Sequence, residues 1–280
     1  MQSLAGKTAV VTGGASGMGR AMALRFAEAG MNVVIGDLAE AGMAETVEAA
    51  TAKGVDARAV VTDVASEEAN VALRDAAIDA FGQCNVVCLN AGVTGAAGRS
   101  WTLSADDWDW CRGILLDGVA HGIRAFVPGL VDHDDGHVVI TASIAGHVGG
   151  SYSGPYIVAK HGVAALAETL YHELKAEGSS VGVTCLCPGF VSTDIVEATK
   201  RQSADAPGAP KDEAGERWLA YSGRALASGL DPSIVGDQVH DAVLADQFWL
   251  FTDEAWDSAI AERVDRIVNR RPPVLGRPTG

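Results

Sequence analysis

Short apolar runs alternate along this chain with longer segments in which apolar residues recur every three or four positions. A strand that is buried on both faces produces the first pattern, and a helix that packs one face on a core produces the second. Their regular alternation indicates βαβ units, in which helices cover both faces of a parallel sheet. The pattern therefore predicts a doubly wound α/β fold.

The apolar runs predict seven parallel strands, at Thr8–Thr12, Asn32–Gly36, Ala57–Val61, Asn85–Leu89, His137–Thr141, Val183–Leu186 and Phe248–Phe251. The periodic segments predict helices at Gly17–Ala29, Glu40–Ala52, Glu67–Phe81, Ala105–Val131, Gly154–Glu177 and Asp253–Asn269. No internal repeat or Gly/Ser-rich linker interrupts them. We therefore expect a single domain over residues 1–270 and a short C-terminal tail, 271–280.

The segment from Asp194 to Asp231 departs from this pattern, because it is polar and rich in Ala and Gly. A long polar segment inside a compact domain is usually a functional or a mobile loop. We expect residues 194–229 to form a lid over a substrate.

Composition narrows the functional classes. Of the 280 residues, 48% are hydrophobic, and the formal net charge of −15 disfavours a nucleic-acid partner, which needs a basic face. The sequence has no apolar run of the roughly 18 residues that cross a bilayer, so we expect no membrane partner and a cytoplasmic location. The five cysteines suit buried thiols and lack the spacing of a metal site.

A glycine-rich turn, Thr12-Gly13-Gly14-Ala15-Ser16-Gly17-Met18-Gly19, links the first strand to the first helix. Glycines let the backbone turn sharply and approach a pyrophosphate, and the N-terminus of the following helix attracts its negative charge. The turn therefore predicts a dinucleotide site, with contacts from Gly13, Ser16, Gly17, Met18 and Gly19.

Tyr156 and Lys160 lie four residues apart in a predicted helix, and therefore on one face about one turn apart. A nearby ammonium favours the phenolate form of a tyrosine, so the pair can exchange a proton with a substrate. Ser143 stands 13 residues before Tyr156, at the end of the fifth strand, where open α/β sheets bind their ligands. The three residues predict a catalytic site.

The turn has the pattern Thr-Gly-x3-Gly-x-Gly, and together with Ser143, Tyr156 and Lys160 it resembles the short-chain dehydrogenase/reductase family, over the chain from Lys7 to about Arg270. The resemblance implies a Rossmann-like fold and hydride transfer between a nicotinamide and an alcohol or ketone. It also implies that Tyr156 exchanges the proton, that Lys160 lowers the tyrosine pKa and holds the nicotinamide ribose, and that Ser143 hydrogen-bonds the substrate oxygen.

Further stretches resemble the cofactor contacts of the family. The resemblance assigns Asp63 and Val64 to the adenine, and Thr193 to the carboxamide of the nicotinamide. The other contacts that it implies are Asn90, Ala91, Gly92, Tyr156, Lys160, Pro188, Gly189 and Val191.

Asp37 ends the second strand 18 residues after Gly19, near the offset of about 20 at which a carboxylate reaches the adenosine ribose. Its charge would repel a 2′-phosphate, and neither Arg nor Lys follows in Leu38-Ala39-Glu40. Ser16 stands where NADP-preferring relatives often carry a basic residue. We therefore expect NAD(H) as the cofactor, with Asp37 and Leu38 among its contacts, and no metal.

Leu115 departs from the family pattern, in which an Asn at this position helps to hold a proton-relay water. A leucine side chain cannot hydrogen-bond that water, so either the relay runs through backbone and solvent alone, or proton exchange is slower, or Asp117 substitutes. On a helix Asp117 points about 200° away from Leu115, which disfavours the last alternative.

The segments that surround the substrate in the family are mostly apolar here, namely residues 93–97 and 144–152, Phe190 and the lid. The individual substrate contacts that we expect are Thr94, Ala145, His147 and Phe190, although His147 can also have a structural or solvent role. Apolar walls favour a hydrophobic secondary alcohol or ketone of aryl, alicyclic or steroid-like type. The resemblance also implies a homodimer or homotetramer.

Two other functions remain open. A family member can use the same Ser, Tyr and Lys for epimerisation or dehydration. A dinucleotide-binding protein that has lost catalysis can act as a sensor or scaffold, and Leu115 makes this alternative less remote. Turnover of an alcohol or ketone would distinguish a dehydrogenase from both.

Overall fold

The computed structural model describes residues 3–202 and 208–278; residues 1–2 of the expected domain, 203–207 of the expected lid and 279–280 of the expected tail lie outside the described residues. Seven parallel strands form one sheet in the order β3-β2-β1-β4-β5-β6-β7. They are β1 Thr8–Thr12, β2 Asn32–Asp37, β3 Ala57–Val61, β4 Val86–Leu89, β5 His137–Thr141, β6 Gly182–Cys187 and β7 Trp249–Phe251. The predicted Rossmann-like sheet is confirmed, and the strand ends differ from the predicted ones by at most one residue.

The helices are α1 Gly17–Glu28, α2 Glu40–Thr51, α3 Glu67–Phe81, α4 Ala105–Arg112, α5 Gly118–His133, α6 Gly154–Ala176, α7 Ile195–Gln202, α8 Glu213–Ala227, α9 Pro232–Ala245 and α10 Asp257–Val268. A π turn at Gly113–Asp117 joins α4 to α5, so the long helix expected from Ala105 is present with one extra residue wound into it. The last helix begins at Asp257, four residues later than its pattern predicts.

Helices α7, α8 and α9 are absent from the sequence prediction, which treats most of this part of the chain as a polar loop. Two of them begin with an acidic cap: the Asp212 carboxylate accepts the Gly215 amide, and that of Asp231 accepts the Ser233 amide. The apolar stripes of α7 and α8 are short and lie among charged residues, so neighbouring elements determine that they become helices. A lid function for this segment remains a prediction.

Each face of the sheet packs on its own layer of helices. One layer contains α1, α2 and α9, and the other contains α3, α5 and α6. The side chains of Met22 and Phe26 on α1 and Leu73 on α3 are almost completely buried. Burial of a side chain of this size stabilises the fold by about 1.5–3 kcal/mol. The two layers hold the carboxyl ends of the strands in a common edge, where the functional residues lie.

The helical run Ala105–His133 is long and apolar enough to cross a membrane, with a mean hydropathy of 1.4 over an 18-residue window. Length and composition are the only grounds for this, and the core helices of many soluble proteins meet the same criteria. In the described structure the run packs on the sheet through Val119, Phe126 and Leu130. The expectation that no segment has this length and hydropathy is corrected accordingly.

Candidate active site

The direction of the chain through the sheet reverses at β1, which lies between β2 and β4. In open α/β sheets ligands bind at this point, beyond the carboxyl ends of the strands. A cavity of about 690 Å³ lies there. The predicted cofactor residues that line it are Gly13, Ser16, Gly17, Met18, Gly19, Asp37, Leu38, Asp63, Val64, Asn90, Ala91, Gly92, Tyr156, Lys160, Pro188 and Thr193.

The turn between β1 and α1 requires glycine at several positions. Gly13 and Gly17 have φ angles of +70° and +51°, in the left-handed region that other residues rarely adopt. A Cβ atom at Gly19 would collide with the carbonyl oxygen of Gly13. The turn therefore brings the N-terminus of α1 to the cavity wall, in the arrangement that binds a phosphate group.

Arg20 and Thr46 hold this turn against α2. The Arg20 guanidinium donates to the carbonyl oxygens of Ala15 and Gly42, at 2.7 and 3.1 Å. The Thr46 hydroxyl donates to the carbonyl oxygen of Gly14 at 3.0 Å. These bonds join the backbone of the turn to α2, and so they fix the position of the turn. The sequence reasoning missed both residues, because α1 and α2 meet only after folding.

The Asp37 carboxylate is oriented at the cavity wall by two backbone amides. Its Oδ2 atom accepts the Ala15 amide and its Oδ1 atom accepts the Ala39 amide, both at 3.0 Å. Asp63 and Asp109 also line the cavity, and among its described lining residues Lys160 is the only cation. The end of the cavity beside Asp37 therefore carries negative charge.

Asn90 connects the ends of three strands. Its side-chain amide donates to the Thr12 carbonyl at 3.0 Å and accepts the Thr141 hydroxyl at 3.3 Å. The Thr12 hydroxyl in turn accepts the amides of Asn90 and Ala91, at 2.9 and 3.1 Å. The network ties β1, β4 and β5 together below the cavity floor, in keeping with a role in steadying the sheet.

Ser143 and Tyr156 meet at the end of β5. The Ser143 hydroxyl lies near that of Tyr156, and its Oγ atom accepts the Ala145 amide at 3.1 Å. Burial raises the pKa of Tyr156, and the nearby Ser143 hydroxyl opposes this rise. The phenol is therefore protonated at neutral pH and can donate a proton. Ser143 does not itself line the cavity, whereas Tyr156 does.

Lys160 lies one turn after Tyr156 on α6, with 4% of its surface exposed. Its Nζ atom donates to the Thr141 carbonyl at 2.7 Å and lies 5.9 Å from the centre of the Tyr156 ring. Burial lowers the pKa of Lys160 to about 8. A buried ammonium at this distance favours the phenolate, so the arrangement can both give and take a proton.

Comparison with known proteins agrees with this geometry. The family model described as short chain dehydrogenase matches residues 7–204. The chain belongs to the short-chain dehydrogenase family. A solved structure of a short-chain dehydrogenase/reductase from Burkholderia phymatum in complex with NAD is 37% identical, is covered over 100% of both chains and gives a TM-score of 0.94.

Two curated members of the family are also similar. The 1-deoxy-11-beta-hydroxypentalenate dehydrogenase of Streptomyces avermitilis is 36% identical over 88% of this chain and 84% of its own. The C alpha-dehydrogenase of a Sphingobium strain is 27% identical over 100% of this chain and 91% of its own. Both align with nearly the whole chain, so the similarity to this family of oxidoreductases extends over all seven strands.

This short-chain dehydrogenase has Leu115 inside the π turn, 1% exposed and at the cavity wall. A Cβ atom at Gly92 would lie 3.1 Å from its Cδ2 atom, so the leucine packs closely on the Asn90-Ala91-Gly92 stretch. Asp117 pairs with Arg112 at 3.3 Å and is 43% exposed. The geometry gives no support to substitution by Asp117, because its carboxylate is engaged on the surface.

Several residues expected to contact ligands lie outside the lining of this dehydrogenase cavity. The Gly189 amide donates to the Thr252 hydroxyl, and Val191 is buried in the core. Phe190 packs against Tyr221 and Trp256. Gly189 and Phe190 contact α8 or the segment after β7, and Val191 pairs with Leu230, so none of the three lines the cavity.

The other expected substrate contacts also face elsewhere. The Thr94 amide donates to the Thr199 hydroxyl of α7 at 2.9 Å. Ala145 donates its amide to Ser143, and His147 packs edge-on against Trp249 and Phe251. None of the three lines the cavity, and their contact with a substrate remains a prediction.

Other lining residues are not among the individually predicted contacts, although Val93, Ile195 and Ala198 lie in the segments that we expect to surround the substrate. These other residues are Ala39, Thr62, Ala65, Val93, Asp109, Trp110, Gly113, Ile114, Leu115, Thr141, Ala142, Ile195 and Ala198. Thr62 and Thr141 follow or end predicted strands, so the rule that ligands bind at carboxyl ends could have found them. Ile195 lies in the expected lid, whereas Trp110 comes from α4, and no local pattern indicates that it faces the cavity.

Proposed function

We propose that this chain is an NAD(H)-dependent oxidoreductase that transfers a hydride between the nicotinamide and a secondary alcohol or ketone. The observation that carries the proposal is the grouping around Tyr156 of Ser143, at the end of β5, and Lys160, whose Nζ atom donates to the Thr141 carbonyl of the same strand. Such a group of donors can give a proton to, or take one from, an oxygen whose carbon changes oxidation state.

The residues around the cavity fit a dinucleotide. The glycine turn and the N-terminus of α1 would hold the pyrophosphate, Asp37 the adenosine ribose, and Asp63 with Val64 the adenine. Lys160 would hold the nicotinamide ribose and Thr193 the carboxamide. Once bound, the nicotinamide supplies the site that accepts or donates the hydride.

We propose NAD rather than NADP because of Asp37. A 2′-phosphate placed beside this carboxylate would meet like charge, and no cation lines the cavity near it within the described residues. The similar Burkholderia phymatum enzyme was solved with NAD, which supports the same choice.

Each catalytic side chain has a separate task in this proposal. Tyr156 holds the proton that the substrate oxygen gains on reduction and loses on oxidation. Ser143 donates a hydrogen bond to the same oxygen and stabilises the charge that develops on it. Lys160 stabilises the phenolate after the proton has left, because its ammonium is buried nearby.

The substrate that we propose is an uncharged, hydrophobic alcohol or ketone of aryl, alicyclic or steroid-like type. Apolar side chains line the cavity beside Tyr156, including Val93, Trp110 and Ile195. Its described lining offers no cation other than Lys160 to pair with an acidic substrate. The names of two similar proteins, a hydroxypentalenate dehydrogenase and a C alpha-dehydrogenase, are consistent with oxidation of a carbinol carbon.

The test is an absorbance assay of NADH with a panel of secondary alcohols and ketones. We expect turnover with NAD(H), and we expect Tyr156→Phe to lower kcat by at least ~100-fold, the usual contribution of a general acid or base. Tyr171→Phe, which removes the same hydroxyl elsewhere on α6, is the matched control and should retain full activity.

An inactive enzyme that binds NAD tightly would instead favour the sensor or scaffold alternative. An epimerase or dehydratase would convert a substrate with no net change in NADH. Either result rejects the dehydrogenase proposal. The expected homodimer or homotetramer, the cytoplasmic location, the single domain and the lid remain separate predictions.

A further inference from the structure

The Asp63–Ser66 turn follows β3 and leads into α3. Its first three residues line the cavity at the carboxyl ends of the strands. Two hydrogen bonds close the turn on itself: the Asp63 carboxylate accepts the Ala65 amide, and the Asp63 carbonyl accepts the Ser66 amide, both at 3.0 Å. Neither bond uses the Val64 carbonyl, so the position of that group depends on residues outside the turn.

Asn70 of α3 supplies the nearest donor for the Val64 carbonyl. The Asn70 Nδ2 atom donates to this carbonyl at 2.9 Å and to the Ser66 carbonyl at 2.8 Å. The side chain is 0% exposed, so water does not compete for these two bonds. One buried amide group therefore ties both the second and the last residue of the turn to α3.

Stability alone does not account for an asparagine at this position. The Asn70 Oδ1 atom is buried and has no hydrogen-bond partner in the part of the chain that the structure describes. A buried acceptor without a partner lowers the stability of a fold. The other buried residues of α3 are the apolar Leu73 and Ala77. An apolar side chain would avoid the unused acceptor, so the two bonds to the turn are what Asn70 adds.

Helix α5 contacts the same point of the turn. A Cβ atom at Gly118 would lie 3.1 Å from both the carbonyl oxygen and the Cγ2 atom of Val64, closer than side chains normally approach. The Nδ1 atom of His121 lies 3.4 Å from the same carbonyl oxygen. Val64 is therefore in close contact with both α3 and α5 while it lines the cavity. A small change in either helix moves the cavity wall.

We propose that Asn70 is a positioning residue for the cofactor, which holds the Val64 carbonyl and so keeps the Asp63–Ser66 turn in the place where it receives the adenosine half of NAD. Asn70 does not line the cavity and acts only through the turn. A wall that is fixed before binding loses no further freedom when the ligand arrives, which favours tight binding. The proposal rests on the adenine site proposed above, and it does not depend on hydride transfer.

The experiment measures Kd values of the full-length protein for NAD and its two halves. Calorimetry measures Kd for NAD and for ADP-ribose, which contains the adenosine half, and ligand-observed NMR measures Kd for nicotinamide mononucleotide, which lacks it. Asn70→Leu keeps a side chain that branches at Cγ and removes the donor. We expect Kd for NAD and ADP-ribose to rise about 3- to 10-fold, as for the loss of one hydrogen bond. Kd for the mononucleotide should stay unchanged.

Gly118→Ala tests the same turn from α5 and leaves Asn70 in place. Alanine is favourable in a helix, so this variant should fold, and its Cβ atom displaces Val64. It should weaken NAD and ADP-ribose and spare the mononucleotide. Asn85→Leu is the matched control, because Asn85 is 1% exposed and its Oδ1 atom accepts the Thr8 amide at the amino end of β1. This control should lose stability and keep all three Kd values.

Circular dichroism first confirms which variants are folded. Unchanged Kd values for NAD and ADP-ribose in folded Asn70→Leu overturn the proposal. If Asn70→Leu does not fold, unchanged values in Gly118→Ala overturn it instead. Equal weakening of the mononucleotide, or an equal effect of Asn85→Leu, also overturns it, because the loss would then be general. If the parent protein turns over no alcohol or ketone, the proposed hydride transfer fails, and the Kd values still decide the role of Asn70.

Discussion

At the scale of single residues, the site depends on charges whose environment the fold has altered. Lys160 is a buried ammonium whose pKa burial lowers to about 8, and Asp37 is a carboxylate fixed by two amides. Changes of one charge at such positions alter binding and stability by amounts that can be measured. Two predictions belong to this scale.

Asp37→Ser should weaken the discrimination between the two dinucleotides. The carboxylate repels a 2′-phosphate, so its loss should reduce the ratio of kcat/KM for NAD to that for NADP by about 10- to 100-fold, or ~1.4–2.7 kcal/mol. Steady-state kinetics with both cofactors measures this ratio. Glu40→Gln, an exposed charge three residues away, should leave the ratio unchanged. An unaltered ratio in Asp37→Ser would remove the role that we give to Asp37.

His137 should make the protein less stable in acid. Its Nε2 atom lies 2.7 Å from the Thr184 hydroxyl, and this hydroxyl donates its own hydrogen to the Gln247 carbonyl. The imidazole must therefore donate to Thr184, so Nε2 carries the hydrogen and Nδ1 is unprotonated. Burial lowers the pKa of His137 from 6.5 to about 3. Between pH 6.5 and 3 the imidazole is therefore protonated in the unfolded chain and neutral in the folded chain. Because the unfolded chain binds the extra proton, the free energy of unfolding falls as the pH drops through this range.

His137→Gln keeps a donor for Thr184 and removes the titration. Between pH 6.5 and 4.5 the parent protein should lose about 2 kcal/mol more of its free energy of unfolding than this variant does. Urea unfolding at the two pH values measures the difference. His133→Gln changes an exposed histidine and should follow the parent protein. Equal acid sensitivity in His137→Gln and the parent would mean that the buried imidazole takes up a proton without cost.

At the scale of elements, α7 forms part of the cavity wall, and both α7 and the segment before α8 are attached at defined points. Ile195 and Ala198 of α7 line the cavity, and the Thr199 hydroxyl of the same helix accepts the Thr94 amide. Before α8, the Lys211 ammonium lies 3.0 Å from the carboxylate of Asp107, a residue that is 1% exposed on α4. These attachments determine how closely the two helices approach the substrate region.

Lys211→Met should loosen this attachment. Asp107 would keep its hydrogen bonds from Ser104 but lose its ion pair, so the free energy of unfolding should fall by about 1–3 kcal/mol. KM for the alcohol should rise several-fold, whereas the Kd for NAD should change little. Urea unfolding and steady-state kinetics measure these effects. Lys200→Met breaks an exposed pair with Glu197 and should cost less than ~1 kcal/mol. Identical behaviour of the two variants would show that the Asp107 pair does not hold the helices.

At the scale of the whole molecule, one sheet supports both core layers. Val10 and Val34 face one layer and Val11 and Val33 the other, although they alternate on the same two strands. Loss of either layer would expose the strands that the other layer needs. The described part of the chain should therefore unfold as a unit.

Urea unfolding should show a single transition. Far-UV circular dichroism reports the helices, and fluorescence reports the six tryptophans together, including Trp110 at the cavity and Trp256 near the C-terminus. The two curves should coincide within error, as expected for one cooperative domain. Two separated midpoints would contradict the single-domain prediction for residues 1–270.

Much of the fold follows from local patterns in the sequence. A strand buried on both faces needs a continuous apolar run, and a helix needs a three-to-four residue repeat, so the seven strands and the first helices are predictable. Helices α7 and α8 are not, because their sequences are rich in charged residues and their packing on the domain arises only on folding. The π turn at Leu115 is likewise invisible in the sequence, since it changes one hydrogen-bond step within a continuous helix.

The sequence by itself determined the parts of the site that depend on short-range geometry. Glycines at Gly13 and Gly17 are required by backbone angles, and Tyr156 and Lys160 share a face because they are one helical turn apart. Only the tertiary structure decided which distant side chains meet them. It brought Trp110 and Ile195 to the cavity and His147 to the Cys187 thiol, because these contacts join elements far apart in the chain and arise from packing, which no local pattern encodes.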